Sequence, residues 1–223
     1  MPKVTEEYIQ NKKKRIIDAA YQSCLKKPIS TVTMQDIIDQ SGLSQGGIYR
    51  FYKDLDEVFG DMIENMREEG SIKKELDEIL QHDDRSVRQT VEDLFELLSE
   101  FMEENLMTIE KIDFEFSMMA MNYPKRVEKI MNCVEGEGNT EYLVRSVLSY
   151  FEIQKEKGNI SEQVDILELC AYISSVYSGI QMECILFHCY RNDKNPFGSY
   201  FQPARQMKQL CRYVISVLET ADM

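Results

Sequence analysis

A chain of 223 residues with 43% hydrophobic content can fill one or two packed cores, which predicts a small domain beside a larger one. Helix formers dominate and almost no stretch alternates as strands do, so the expected fold class is all-α. A net charge of −13 argues against nucleic acid, but residues 1–53 hold nine Lys/Arg against five Asp/Glu, leaving 17 and 34 for residues 54–223. That asymmetry describes a basic end suited to phosphates and an acidic body that a polyanion repels.

In chain order, Ile9, Ile16, Ile17, Ala20, Tyr21, Cys24 and Leu25 predict a helix over 6–26, ended by Pro28. Thr33 reads as an N-cap, with Asp36 three residues later, for a helix over 34–40 that Gly42 stops. Ser44 caps a short helix over 45–52. Asp54, with Glu57 in the capping-box position, opens a fourth helix over 55–81, with a bend at Gly70. Its first apolar stripe is Val58, Phe59, Met62, Ile63 and Met66.

Residues 85–105 repeat the helical period through Val91, Leu94, Phe95, Leu98 and Phe101. Residues 106–122 are apolar nearly all round, which predicts a helix wrapped by neighbours. The segment 125–157 follows Pro124, and Gly136-Glu137-Gly138-Asn139 leaves open whether it is one helix or two. Ser161 caps 162–190. A polar loop over 191–202 with Asn195, Pro196 and Gly198 leads to Pro203 and a last helix over 203–220.

The stretch that carries chemistry is Thr33–Lys53, TMQDIIDQSGLSQGGIYRFYK. Two short helices meeting at a glycine turn form a helix-turn-helix. Gly46 and Gly47 sit in the second of them, where each costs about 1 kcal/mol relative to Ala. Close approach of a DNA backbone is one reason to keep them. Ser44, Gln45, Tyr49 and Arg50 then offer donors to phosphates and base edges. The rival reading is an ordinary helical corner in a protein-interaction module.

Thr33, Ile37, Gly42, Leu43, Ser44, Gly46, Ile48, Tyr49 and the pair Phe51-Tyr52 follow a helix ending near Cys24 and precede Asp56-Glu57. Over residues 8–66 this pattern resembles the TetR family of bacterial regulators. The resemblance implies a three-helix DNA-binding head over 1–53 and a helical body over 54–223 that binds an effector and dimerises. It implies a cytoplasmic homodimer, usually a repressor, on double-stranded DNA with an inverted-repeat operator, released when a small molecule changes the separation of the two heads. Gln45 and Arg50 would read bases. Thr33, Ser44, Tyr49 and Lys53 would hold phosphates, and Gly46 and Gly47 would lie against the DNA. The family commonly has a phosphate-contacting Lys where this chain has Leu55, so that role is not carried over, and Lys53 is the nearest substitute.

Gly158, Ile160 and the helix bearing Ser178-Gly179 resemble the family's dimerisation region. The expected seam is Ser175, Ser178, Gly179 and Met182 with Met207, Leu210 and Val214. An effector pocket is expected at Phe101, Phe114, Glu115, Met118, Met119 and Glu183, because Phe and Met line adaptable cavities. Glu115 and Glu183 either face water, pair with a Lys, or act as counter-charge to a cationic ligand.

No catalytic residue, cofactor or metal is expected, because no Gly-rich phosphate loop or nucleophile elbow is present. Cys184 and His188 stand at zinc-binding spacing with Cys189 adjacent, but no second cluster is near in sequence. The six cysteines form no CxxC pair, so reduced, buried thiols are expected, with a redox-sensing pair as the alternative. A charged N-terminus gives no expectation of a secretory leader, and no membrane-spanning window of about 20 apolar residues is expected.

Overall fold

The computed structural model describes residues 5–82, 84–190 and 200–219. Asn195, Pro196 and Gly198, singled out above, lie outside the described residues. Among the described residues there are eleven α-helices and no strand. These are α1 (Glu6–Lys26), α2 (Met34–Ser41), α3 (Gln45–Tyr49), α4 (Leu55–Glu69), α5 (Lys73–Leu80), α6 (Val87–Asn105), α7 (Ile109–Asn122), α8 (Pro124–Met131), α9 (Asn139–Glu156), α10 (Ile166–Tyr190) and α11 (Pro203–Glu219).

The caps set many of these boundaries. Thr33 and Asp36 form a reciprocal capping box at α2, and Gly42 ends that helix with φ 63 in the left-handed region. Ser44 Oγ accepts from the Gly47 amide at 3.2 Å, and Asp54 Oδ1 accepts from Asp56 and Glu57 at 3.0 and 3.1 Å. The expected helix over 55–81 is two helices: α4 ends at Gly70 and α5 begins at Lys73. The segment 125–157 is also two, parted around Gly136 at φ 75. Helix α3 is shorter than the expected 45–52, and α10 starts four residues after the expected 162.

The chain forms two compact units, Met1–Gly70 with Lys111–Gly136, and Ser71–Glu110 with Glu137–Met223. Structural division therefore does not fall at residue 53. The reason lies in α4, whose Val58, Phe59, Met62, Ile63 and Met66 are buried as α4 packs on α1 and α8. Gly60 makes the approach to the C-terminal end of α8 close: a Cβ there would lie 2.8 Å from the Cβ of Cys133, just past that helix.

In the second unit α11 packs along α6 and α10, and α5 and α9 complete the core. Met207, Leu210 and Val214, expected in a dimer seam, are 1%, 4% and 0% exposed. They are core residues of the unit, because the apolar stripe of α11 is covered within the chain. Helix α7 is not wrapped all round either: Ile112, Phe116 and Met119 are buried, but Met118 is 41% and Met121 70% exposed. Among the described residues, one helix, α10, is long and apolar enough to cross a membrane by length and composition, contrary to expectation. Its apolar residues serve two faces, one buried in the unit and one exposed.

Candidate nucleic-acid interface

The interface begins with how α3 is held. Ile48 is fully buried and Tyr52 nearly so, and both anchor the short helix to the first unit from behind. Tyr52 donates its hydroxyl to Asp61 of α4 at 2.7 Å, and Asp61 also pairs with Lys13 of α1 at 3.1 Å. The Lys13 ammonium lies over the Tyr52 ring, 5.3 Å from its centroid. Burial, then the carboxylate of Asp61, pushes the Tyr52 phenol well above its ordinary range. The turn before α3 is fixed by Arg15 Nε, which donates to the Ser41 carbonyl at 2.7 Å.

With its inner side so fixed, α3 turns Gln45, Gly46, Tyr49 and Arg50 outward. Among the described residues, no side-chain hydrogen bond or ion pair engages Gln45, Tyr49 or Arg50. Gly46 has open space where a Cβ would sit, so the fold does not demand a glycine there. Gly47 is half-buried, with Ser44 Oγ 3.2 Å from its ideal Cβ. Ser44 is exposed, and its hydroxyl keeps a hydrogen to donate while it caps the helix.

Thr33 and Lys53 are exposed but engaged. Thr33 Oγ1 donates to Asp36 Oδ2 at 2.6 Å, and Asp36 in turn pairs with Lys27 at 2.5 Å. Lys27 and Thr33 hold the Asp36 carboxyl at about 2. The Lys53 ammonium lies 3.6 Å from Glu57 and is 90% exposed, so it can turn toward a phosphate at little cost.

Sequence reasoning missed several long-range contacts of this unit. Glu115 of α7 accepts the Ile29 amide at 2.8 Å and pairs with Lys111 at 3.4 Å, while Lys111 donates to the Leu25 carbonyl at 3.2 Å. The Glu115 carboxylate therefore ties α7 to the turn that follows α1, work that competes with a role as ligand counter-charge. Arg126 and Lys129 of α8 reach Asp56 and Asp54 at the start of α4. These partners stand 70 or more residues apart, so no local pattern announces them.

The remaining expected residues divide between the units. Phe114, Met118 and Met119 belong to the first, half-buried, exposed and buried in turn, while half-buried Phe101 and exposed Glu183 belong to the second. In the second unit Ser175, Ser178 and Met182 are exposed on α10 and Gly179 is half-buried. Exposed Leu167, Tyr172 and Leu186 extend that face, and Tyr172 contacts Tyr213 of α11 with ring centroids 5.0 Å apart. A cavity of about 420 Å³ opens elsewhere in this unit, lined by Arg85, Arg88, Asn159, Ile215 and Leu218. Glu219 accepts two hydrogen bonds from Arg88 there, at 2.8 and 2.5 Å.

Among the described residues, no group of three or more His, Cys, Asp or Glu is placed to hold a metal. Cys184 is buried whereas His188 and Cys189 are exposed. All six cysteines are free, and Cys133 and Cys189 are exposed rather than buried as expected. Burial pushes the Cys24 thiol up to about 12.

Residues 16–62 match the family described as bacterial regulatory proteins, tetR family. The chain is 30% identical over 125 residues to an uncharacterized HTH-type transcriptional regulator, YfiR, of Bacillus subtilis (strain 168). That match covers 56% of this chain and 59% of that protein, less than two thirds of its length. Among solved structures, Salmonella enterica GusR superposes with TM-score 0.62 at 17% identity, covering 97% of this chain and 99% of that one. NalD of Pseudomonas aeruginosa, described as the secondary repressor of the MexAB-OprM multidrug efflux pump, superposes with TM-score 0.62 at 14% identity, covering 94% and 97%. At these identities the structural likenesses establish a shared fold.

Proposed function

We infer that this chain, which belongs to the TetR family of bacterial regulatory proteins, is a cytoplasmic repressor that binds an inverted-repeat operator as a homodimer. The observation that carries this reading is the outward face of α3. Gln45, Tyr49 and Arg50 project from a helix anchored behind by Ile48 and Tyr52, on the basic end of an otherwise acidic chain. Gln45 and Arg50 read base edges in the major groove. Ser44, Tyr49 and Lys53 contact phosphates, and Thr33 contributes through the first turn of α2.

Two heads need a two-fold relation, and the exposed face of α10 supports one. Leu167, Tyr172, Met182 and Leu186 lie there with the small residues Ser175, Ser178 and Gly179, and small residues let two helices approach closely. As a functional division, residues 1–53 read DNA and residues 54–223 dimerise and bind a small-molecule effector. An effector that binds the DNA-incompetent state more tightly releases the operator by linkage. The description of NalD as a repressor supports the sign of regulation.

Binding to the chain's own upstream DNA, measured by anisotropy over a salt series, tests the reading. Specific binding with a steep salt dependence is expected. Arg50→Ala should lose sequence preference by about 1–3 kcal/mol. Wild-type protein that prefers no sequence would sink the proposal.

A further inference from the structure

Helix α8 places two cations on the opening turn of α4. Arg126 Nε donates to Asp56 Oδ1 at 2.9 Å. Lys129 Nζ donates to Asp54 Oδ2 at 2.6 Å and to Asp56 Oδ2 at 3.0 Å. The Arg126 guanidinium also lies over the Phe59 ring, 5.9 Å from its centroid. All these groups belong to the first unit.

The position of the two acids makes this pairing consequential. Asp54 is the N-cap of α4 and directly follows Lys53, and Asp56 lies two residues further on. Leu55 stands between them, so the first turn of α4 carries no cation of its own. Lys53, the nearest one, already answers Glu57 at 3.6 Å. Uncovered, Asp54 and Asp56 would leave two negative charges one and three residues from Lys53, which the reading of α3 assigns to phosphate, and such charges act over a Debye length of about 8–10 Å.

Fold stability accounts for the Arg126–Asp56 pair, whose side chains are 32% and 15% exposed, but not for the pair beside it. Lys129 and Asp54 are 52% and 46% exposed, and exposed ion pairs contribute little to stability. What they change is the local field. Lys129 holds the Asp54 carboxyl below its usual range, and Asp54 and Asp56 hold the Lys129 ammonium above its own.

We propose that Arg126 and Lys129 are positioning residues of the DNA interface, which neutralise Asp54 and Asp56 so that operator affinity depends on α8 being seated on α4. This rests on the DNA-binding reading of α3. Regulation follows from it. An event that draws α8 from α4 uncovers two carboxylates beside the operator backbone and weakens binding without any change in α3.

The test measures anisotropy with an upstream duplex that wild-type protein binds. Arg126→Gln with Lys129→Gln should weaken binding roughly tenfold at about 50 mM salt and less at about 300 mM. Adding Asp54→Asn and Asp56→Asn should restore most of the loss, because Asn keeps the cap while removing the charge. Asp54→Asn with Asp56→Asn alone should bind as tightly as wild type or tighter, although it lacks the ion pairs. A purely structural clamp predicts the reverse, so weakened binding by that pair overturns the proposal. So does a quadruple variant no better than the double. A wild-type protein that binds no duplex instead defeats the reading of α3 itself.

Discussion

The Tyr52 hydroxyl donates to Asp61 Oδ2 at 2.7 Å, which ties the chain just past α3 to the middle of α4. Tyr52 is 3% exposed, so its phenol has little access to water if Asp61 is lost. Tyr52→Phe keeps the ring under Lys13 and should cost about 1 kcal/mol of stability. Asp61→Ala strands the buried hydroxyl and should cost more, about 1–3 kcal/mol. Urea denaturation orders the two. An Asp61→Ala variant no weaker than Tyr52→Phe would mean that the phenol finds another partner.

Asp36 gives the head a pH dependence. Its folded-state pKa is lowered from 3.8 to about 2, chiefly by the hydrogen bond from Lys27 and then by Thr33. A depressed acid stabilises the fold above its unfolded pKa and loses that contribution as pH falls through the folded value. Asp36→Asn should therefore be less stable than wild type at pH 7, by up to about 1 kcal/mol for so accessible a pair. The gap should close between about pH 4 and pH 2. A gap that stays constant down to the lowest pH would assign the loss to the cap geometry alone.

The caps were legible because each is a local event. Thr33, Ser44, Asp54 and Gly42 act within four residues of themselves, and the structure places all four at helix ends. What a stripe packs against is not local. Met207, Leu210 and Val214 share one face of α11 as periodicity requires, yet periodicity cannot say whether that face meets its own chain or a second copy. The same limit hid the exposed side of α7, where Met118 and Met121 look as core-like in composition as buried Met119. That Gln45, Tyr49 and Arg50 share an exposed side was legible from residue types. The ion pairs from α8 and the anchoring of Glu115 depend on tertiary approach and were not.

Gly46 separates stability from recognition. An added Cβ meets nothing within 4 Å, and glycine is about 1 kcal/mol less favourable than alanine inside a helix. Gly46→Ala should therefore leave thermal stability unchanged or raise it. If α3 lies against DNA at this point, the same variant should bind the operator less tightly. Tighter or equal binding by a folded Gly46→Ala protein would remove Gly46 from the contact surface.

The dimer proposal now rests on α10, and a pair of charge substitutions can separate surface from core. Ser178 is exposed on the face shared with Leu167, Tyr172, Met182 and Leu186. In an isologous seam each substitution appears twice, so Ser178→Glu should set two carboxylates into an apolar contact. The expected outcome is a folded monomer with wild-type helicity and weakened binding to a two-half-site duplex. Leu210 is 4% exposed inside the second unit, so Leu210→Glu should act on the fold instead. A charge buried there without a partner should cost several kcal/mol and lower helicity at any protein concentration. Light scattering with circular dichroism distinguishes the two effects. A Ser178→Glu protein that remains a dimer would exclude this face of α10 as the seam. A folded monomer from Leu210→Glu would return α11's apolar stripe to the interface.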